Sequence, residues 1–385
     1  MVSIAAPPQA AATRFDVLDA LRGICAVLVV LYHFQSTGYI SNLPLIRNGW
    51  LFVDYFFVLS GFVIAHSYAE RIGERAVSVG RFMALRIGRI YPLHIAILLA
   101  IAALELLLVF GGDAIAQHVS REPFSGSRSL GSLLQNVFLL QSFGIPGGEG
   151  WNIPAWSIAA EMWTYLLFAF VFLVRGRAML WLTVVLGLLG LIFAVSTSDD
   201  LHITFEGGFL RCVFGFAMGV LTYHAFRRFG GIGGTGWEVA LLSVTIVYVS
   251  VAENALTFAA PFVFSAMIFV LASQRGMVSR VLEVNVFQML GLFSYSIYMI
   301  HNFVHGRFAE VLQVTGAVDV SVNSAGVTRL EASPLVSDLV TLVMLAVLVF
   351  GSWITYNLIE KPGRDLSRRL FAAGPAAPEV KGATG

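Results

Sequence analysis

The chain has 385 residues, of which 57% are hydrophobic and only 12% are charged, about half the roughly 25% of charged residues in soluble domains. So few charges cannot cover the surface of a soluble protein of this size. The net charge of +1 argues against nucleic acid as a partner, and the composition excludes disordered and collagen-like chains. We therefore predict an integral membrane protein.

Ten apolar stretches predict ten transmembrane helices, because about 20 residues cross the hydrocarbon core. The predicted spans are 17–37, 50–68, 92–110, 154–174, 178–195, 208–226, 237–252, 257–273, 287–305 and 335–358. A further stretch at 132–142 is too short to cross and is predicted to be interfacial or re-entrant. The predicted fold is an all-α polytopic bundle, with one transmembrane domain at 17–358 between tails at 1–16 and 359–385.

The basic residues orient these spans, since cytoplasmic loops carry an excess of Lys and Arg. With a cytoplasmic N-terminus, 17 of the 24 basic residues fall in cytoplasmic segments and five in outer segments. Two, Arg22 and Arg211, lie within spans, and Arg211 is expected to snorkel to the outer surface. The distribution predicts that both termini are cytoplasmic. No positively charged n-region precedes the first span, which is therefore predicted to be an uncleaved anchor.

No motif for a bound metal or cofactor is found in the sequence. Cys25 and Cys212 lie in apolar runs, so neither a disulfide framework nor a metal cluster is indicated. Phosphate-loop, zinc-protease and dinucleotide-turn motifs are absent from the sequence. We therefore expect no bound metal or cofactor.

The first span contains three ionisable residues, Asp19, Arg22 and His33. Such residues are costly within a membrane and usually functional. Arg22 and His33 are 11 residues apart, which places them on one helix face about 16 Å from each other along the axis. The alternative is a snorkelling Arg together with a hydrogen-bonded His that packs between helices.

Two further carboxylates lie within predicted spans. Asp54 enters the second span at the depth of His33 and is predicted to orient its imidazole; the alternative is a structural role at the helix start. Glu161, two turns into the fourth span, is a candidate base, orienting group or acceptor for a ligand hydroxyl. For the nearby Ser60 and Trp156, the alternatives are helix packing and interfacial anchoring.

The ninth span contains the run LGLFSYSIYMIHNFVH. This run places Tyr295, Tyr298 and His301 toward the outer half of the span. His305 follows one turn later and is predicted to lie at the surface.

An arginine cluster precedes the third span in the predicted inner loop 69–91. Arg81, Arg86 and Arg89 lie within the run RFMALRIGRIYPLH. Guanidinium groups bond phosphate oxygens bidentately, so the cluster suits an anionic cytosolic ligand that carries phosphates. The alternatives are a topology determinant or a patch that binds lipid headgroups.

Six motifs in order resemble the acyltransferase-3 family of bacterial membrane O-acyltransferases. They extend from residue 16 to residue 364, so the resemblance covers nearly the whole chain. The motifs are DALRGICAVLVVLYH, GWLFVDYFFVLSGFVI, RFMALRIGRIYP, WNIPAWSIAAEMWTYLLF, LGLFSYSIYMIH and YNLIEKPGR.

The resemblance implies transfer of an acyl group, usually acetyl, from cytosolic acetyl-CoA to a hydroxyl of an extracytoplasmic glycan. It implies a multi-pass protein of the bacterial inner membrane whose partners are acyl-CoA, the glycan and the bilayer; a homo-oligomer is compatible with this. The family's Arg-x10-His pair corresponds to Arg22 and His33, and its basic loop motif to Arg86 and Arg89. Some members add an extracytoplasmic esterase-like domain, which this sequence lacks, so any second step is expected to need a partner protein.

We hypothesise that His33, oriented by Asp54 or Glu161, is the general base that activates the acceptor hydroxyl. A covalent acyl-His33 intermediate is the competing mechanism. The residues expected at the acceptor or next to the catalytic groups are Asp19, Ser60, Trp156, Tyr295 and His301. Two other classes stay open: a transporter or flippase of a lipid-linked sugar, and an interaction subunit of a glycan-assembly complex.

Overall fold

A computed structural model of the chain describes residues 14–111, 122–148, 150–322 and 328–371. One-turn helices at Tyr39–Asn42 and Pro44–Arg47 and a 3-10 turn at Gly126–Arg128 connect longer elements. The main helices, named α1 to α12, are Asp16–His33, Gly49–Gly73, Val79–Phe110, Leu130–Val137, Ala155–Val171, Arg177–Thr197, Gly208–Phe229, Thr235–Val251, Asn254–Leu271, Met277–Leu282, Asn285–Thr315 and Pro334–Leu370.

Every predicted span overlaps a helix of the structure, but α1 ends at His33, before the predicted end at 37, and α3 begins at Val79, before the predicted start at 92. Six helices (α2, α3, α6, α7, α9 and α12) are long and apolar enough to cross a membrane, and α5 and α8 are shorter apolar helices. The chain is therefore an all-α membrane protein, as predicted. Helix α12 continues past the predicted domain end at 358, and the tails at 1–13 and 372–385 lie outside the described residues.

Helices α1 and α11 run parallel in very close contact. The backbones approach so closely at Gly23 that any side chain there would overlap the backbone of α11. Arg22 donates a hydrogen bond to Ser294 in the first half of α1. At the end of α1, the ring of His33 lies 4.8 Å from that of His301. Small residues permit this kind of approach between membrane helices. The contact brings the Arg-x10-His face of α1 against α11.

A second parallel pair, α2 and α7, packs in the same way. Asp54 on α2 bonds Arg211 on α7, and a side chain at Gly219 would overlap the backbone of Val58. Together the two parallel pairs form the interior of the bundle, because most of the fully buried large side chains belong to them or to α5.

Neighbouring helices in the sequence run in opposite directions. Tyr55 Oη on α2 donates to the carbonyl of Leu18, whereas the earlier Gly49 lies against the later Leu28 of α1. The same reversal relates α6 to α7 and α11 to α12, through the contacts Gly187–Ala217, Gly190–Leu210, Gly351–Ile300 and Glu360–Ser296. The direction of the chain thus reverses from each of these helices to the next.

The arginine-rich segment predicted as a loop at 69–91 is mostly helical. Helix α2 extends to Gly73 through a π-helical turn, and α3 begins at Val79. Ser78 caps α3, since its side chain accepts a 3.2 Å hydrogen bond from the backbone N–H of Arg81. This is a common helix start that the loop interpretation overlooked. The arginines therefore project from successive turns of one helix.

The stretch at 132–142 contains only one short helix, α4. It ends at Val137, whose carbonyl accepts a hydrogen bond from Tyr91 on α3. His94 Nε2 lies 2.9 Å from the carbonyl of Asn136. The segment thus packs against α3 as a short helix followed by turns.

A small three-stranded sheet, which the sequence did not predict, lies near the end of α1. Its strands are β1 (Gln35–Ser36), β2 (Asp319–Val322) and β3 (Thr328–Glu331), in the order β1-β3-β2. β1 pairs with β3 in parallel and β2 pairs with β3 antiparallel. The sheet ties the segment after His33 to the segment between α11 and α12.

Candidate active site

A cavity of about 120 Å³ lies between α1, α2, α3, α5 and α11. We call it the Arg-lined cavity, because Arg22, Arg86 and Arg89 all line it. Among the lining side chains that the structure describes, these three are positive and Glu161 alone is negative. The packing of five helices thus brings three predicted donor-binding residues to one electropositive space.

Arg22 is held by α11 as well as by its own helix. Its Nε donates to Ser294 Oγ at 2.8 Å, and a terminal nitrogen donates to the carbonyl of Gly291 at 3.1 Å. The carboxylate of Asp19 lies 3.3 Å from the same guanidinium and also pairs with Arg14. Asp19 therefore neutralises Arg22 in part, one turn away on the same face of α1.

Arg86 and Arg89 have more free hydrogen-bond donors. Arg86 donates to Tyr68 Oη at 3.2 Å and lies over the Tyr68 ring, but its buried Nε has no partner among the described residues. The half-buried Arg89 makes no hydrogen bond within the described part of the chain. Both guanidiniums therefore have donors available for a ligand.

A hydrogen-bonded chain of three side chains runs along the wall of this cavity. Tyr165 Oη donates to Glu161 Oε1 at 2.7 Å, and Ser60 Oγ lies 2.8 Å from the same phenol oxygen. Because the phenol hydrogen is given to Glu161, Ser60 must be the donor in the second bond. Glu161 thus bonds Tyr165 and lines the Arg-lined cavity, whereas His33 does not line it. The predicted orientation of His33 by Glu161 is not observed.

Two tyrosines of α11 complete the cavity. Tyr295 Oη donates to the carbonyl of Ile90 at 2.6 Å. Tyr298 Oη lies 2.7 Å from Ser157 Oγ, and its ring lies 5.7 Å from the ring of His301. Tyr298 is therefore in contact with both the Arg-lined cavity and the histidines beyond it.

His33 is oriented by its own helix. Its Nδ1 lies 2.9 Å from the carbonyl of Val29, and because a carbonyl only accepts, Nδ1 must carry the hydrogen. Within the described part of the chain, Nε2 forms no hydrogen bond. The lone pair of Nε2 is thus available to accept a proton. The backbone takes the orienting part that the sequence had assigned to a carboxylate.

Three imidazoles lie in a row beyond the Arg-lined cavity. The ring of His301 is 4.8 Å from that of His33 and 5.5 Å from that of His305. His301 is fully buried, and His305, predicted to lie at the surface, is only 8% exposed because α11 continues to Thr315. No group of three or more His, Cys, Asp or Glu residues in the described ranges is arranged to hold a metal ion.

A second cavity of about 340 Å³ opens next to this row. We call it the His-lined cavity, because His33 and His305 both line it. Arg22 and His33, on one face of α1, therefore border different cavities. The two cavities follow one another along α1, α3 and α11.

Asp54 has a different partner from the predicted one. Its two oxygens accept hydrogen bonds from Arg211 Nε at 3.0 Å and from a terminal nitrogen at 2.7 Å. Both side chains are essentially unexposed, and the guanidinium lies 5.4 Å from the rings of Trp50 and Trp156. The prediction that Asp54 orients His33 is therefore wrong, as is snorkelling for Arg211. Trp156 is buried against this pair, which favours helix packing over anchoring in the headgroup region. The face of α2 that carries Asp54 packs on α7.

Two residues that line the cavities, Tyr165 and His305, and one buried carboxylate, Glu360, were missed in the sequence. Tyr165 lies one turn after Glu161, a spacing that brings side chains together on a helix. Glu360 is 3% exposed and accepts a 2.8 Å hydrogen bond from Ser296 Oγ; its charge within the apolar run YNLIEKP was the available signal. For His305, no signal in the sequence indicated burial.

Comparison with known proteins adds an independent finding. A family model described as an acyltransferase domain matches residues 15–357. The chain is 31% identical over 159 residues to Protein 2 in picA locus of Rhizobium radiobacter, an alignment that covers 40% of this chain and 79% of that protein. No solved structure matches.

Two further relatives have names that state an activity. Identity is 28% over 172 residues to acyltransferase MdmB of Streptomyces mycarofaciens, covering 42% of this chain and 40% of that protein. The chain is 30% identical over 192 residues to the peptidoglycan O-acetyltransferase OatA of Listeria monocytogenes, an alignment that covers 46% of this chain and 28% of that protein. The chain thus spans well under two thirds of the length of these two relatives.

Proposed function

We propose, from the premise that the chain belongs to the acyltransferase-3 family, that it is a membrane O-acyltransferase. It moves an acyl group, in the simplest case acetyl, from cytosolic acyl-CoA to a hydroxyl of an extracytoplasmic glycan such as O-antigen, exopolysaccharide or a related glycoside. The observation that carries the proposal is the succession, along α1 and α11, of an Arg-lined cavity and then His33. The anionic donor can therefore bind at the arginines, while the proton acceptor, His33, lies further along the same two helices.

The donor binds from the side of the arginines. Coenzyme A carries several phosphates and cannot cross a bilayer, so its nucleotide stays at Arg86 and Arg89, whose free donors suit phosphate oxygens. The flexible pantetheine arm then extends past Arg22 toward His33. These two residues are about 16 Å apart along the helix axis.

His33 acts as the general base in the transfer step. Nε2 takes the proton of the acceptor hydroxyl, the oxygen attacks the thioester carbonyl carbon, and the carbon–sulfur bond breaks. The coenzyme A thiolate leaves and recovers the proton from His33. A covalent acyl-His33 intermediate is the alternative. Incubation with labelled acetyl-CoA and no acceptor separates the two, because only the covalent route leaves label on the protein.

The membrane arrangement consistent with this path has ten spans with both termini in the cytoplasm of a bacterial inner membrane. Two observations support it. The direction reverses between α1 and α2, between α6 and α7, and between α11 and α12. In addition, 17 of the 24 basic residues fall on one side of the predicted topology.

Arg89→Ala tests the donor site. Loss of one charge-assisted hydrogen bond to phosphate, about 1.5–3 kcal/mol, should raise the apparent KM for acetyl-CoA about tenfold to a hundredfold. The matched control is Arg81→Ala, which removes an arginine from the same helix that does not line the cavity. Initial rates at varied acetyl-CoA measure both variants. An equal rise of the apparent KM in both variants would contradict a specific contact of Arg89 with the donor and indicate a general effect of positive charge on α3.

Tyr298→Ala tests the separation of the two cavities. The ring lies between the Arg-lined cavity and His301 and is held by Ser157. Its removal should admit water to the thioester and raise acceptor-independent hydrolysis of acetyl-CoA severalfold relative to transfer. Tyr298→Phe keeps the ring and should retain most of the coupling. The measurement is coenzyme A released per acetyl group transferred, and the same ratio in wild type and Tyr298→Ala would contradict this role.

The function itself is tested in membrane vesicles supplied with labelled acetyl-CoA. We expect label in the surface glycan only when the chain is present, and mass spectrometry of glycans from a deletion strain should show a lost acetyl group. Movement of a lipid-linked sugar with no transfer from any acyl-CoA would favour the transporter or flippase instead.

A further inference from the structure

The coenzyme A nucleotide is bound at the Arg-lined cavity, so the His-lined cavity borders only the reacting end of the donor, at His33. The end of α1, the middle of α3, the second half of α11, strand β3 and the segment before α5 form its wall. Its volume of about 340 Å³ is roughly twice that of the ~150 Å³ engineered cavity that binds benzene. It is therefore large enough for one saturated six-membered ring with its substituents.

Two arginines line this cavity among the residues that the structure describes, and both are already paired. Arg128 bonds Glu105 at 2.7 Å, and the Glu105 side chain is fully buried. Arg307 bonds Glu310 one turn later on α11. Because each guanidinium has a carboxylate partner, the cavity offers an anionic ligand little net attraction, in contrast to the Arg-lined cavity.

His305, a residue of the same wall, has a ring nitrogen without a partner. His305 is 8% exposed, and its Nε2 has no hydrogen-bond partner in the described ranges. Buried polar atoms are rarely left unpaired, so an unpartnered nitrogen in a residue that lines a cavity favours a ligand that pairs with it once bound. Asn302 lines the cavity one turn earlier and adds an amide donor and acceptor, while Trp151 supplies an apolar surface.

We infer that the His-lined cavity is the acceptor subsite and that it holds one neutral sugar ring. The reacting hydroxyl meets His33 Nε2, a second hydroxyl pairs with His305 Nε2, and the C–H edges of the ring lie toward Trp151. This inference rests on the proposed function, since it names the class of sugar that the same enzyme acylates: a neutral hexoside, in preference to a uronic acid.

The charge preference is tested with two probes that differ only at C6: methyl β-glucoside has a hydroxymethyl group there, and methyl β-glucuronide has a carboxylate. With purified chain in liposomes and labelled acetyl-CoA, we expect acetylation of the glucoside at least tenfold faster than of the glucuronide. Equal rates, or a preference for the glucuronide, would overturn the inference. So would transfer to neither probe by a preparation that acetylates the glycan of its own membranes.

His305 variants test the position of the ring. His305→Ala should raise the KM for methyl β-glucoside about threefold to tenfold, the usual range for one lost hydrogen bond, with the KM for acetyl-CoA unchanged. His305→Gln keeps a donor and an acceptor and should restore most of the affinity. His224→Ala, which changes a half-buried histidine of α7 that lines neither cavity, is the matched control. An unchanged acceptor KM in His305→Ala, or a parallel change in both KM values, would contradict this subsite.

Glu310→Gln offers a gain-of-function test. It frees Arg307, so the glucuronide-to-glucoside rate ratio should rise, by up to about fivefold for a solvent-exposed pair. A ratio that stays unchanged would count against Arg307 facing the acceptor. Failure of the proposed function itself is distinguishable, because then no glycan is acetylated from acetyl-CoA in any membrane preparation.

Discussion

His33→Ala should slow acyl transfer by about 10²–10⁴-fold, the usual contribution of a positioned acid–base group. Nδ1 of His33 donates to the carbonyl of Val29, so Nε2 is the nitrogen that accepts the proton of the acceptor hydroxyl. The initial rate of label transfer from acetyl-CoA to glycan measures the effect. The unfolding temperature should change little, because His33 is only half-buried at the end of α1.

His33→Gln separates loss of the base from loss of packing. Glutamine keeps most of the size and polarity of the side chain but cannot take the proton, so it should be as inactive as the alanine variant. His224→Ala, on α7 and outside both cavities, should retain wild-type rates. Near-normal transfer by both His33 variants would remove this residue from the chemistry and leave the proton acceptor to be sought elsewhere on the path.

Asp54→Ala should destabilise the fold by about 3–5 kcal/mol, because it leaves the charge of Arg211 buried without its partner. The pair is bidentate and essentially unexposed, and α2 and α7 meet at this point. We expect a lower unfolding temperature in detergent and reduced accumulation in the membrane. The loss of activity should follow the loss of folded protein.

The double variant Asp54→Leu/Arg211→Leu tells a structural role from a catalytic one. Removing both charges avoids the unpaired ion, so the double variant should recover much of the stability lost in Asp54→Ala. Activity per folded molecule should then be close to that of wild type. A double variant that folds but transfers no acyl group would show that Asp54 acts on His33 after all, through a contact that forms with substrate.

The sequence by itself was sufficient to predict the membrane environment, the helices and part of the site. Scarcity of charge identified the membrane, and the apolar runs located the helices, although α3, α11 and α12 extend 10 to 13 residues beyond the predicted spans. Helical periodicity placed Arg22 and His33 on one face of α1, and that face indeed meets α11. These are properties of one helix at a time, and a single sequence suffices for them.

Only the tertiary structure decided which side chains meet across helices. Periodicity states which residues share a face, but it does not state which neighbouring helix that face contacts. Asp54 was therefore assigned to His33 from its depth alone, whereas its face packs on α7 and meets Arg211. Glu161 was likewise assigned to His33 but bonds Tyr165 on its own helix.

The division into two cavities was also decided by packing. Arg22 and His33 lie on one face of one helix, yet the bulk of Tyr298 and the row of imidazoles separate the spaces that they border. The pairing of β1 with β3 adds Leu330 to the wall of the His-lined cavity. Contacts between residues some 300 positions apart depend on how closely whole helices and strands approach each other. Gly23 permits such an approach between α1 and α11, but the sequence alone does not state which helix lies against it.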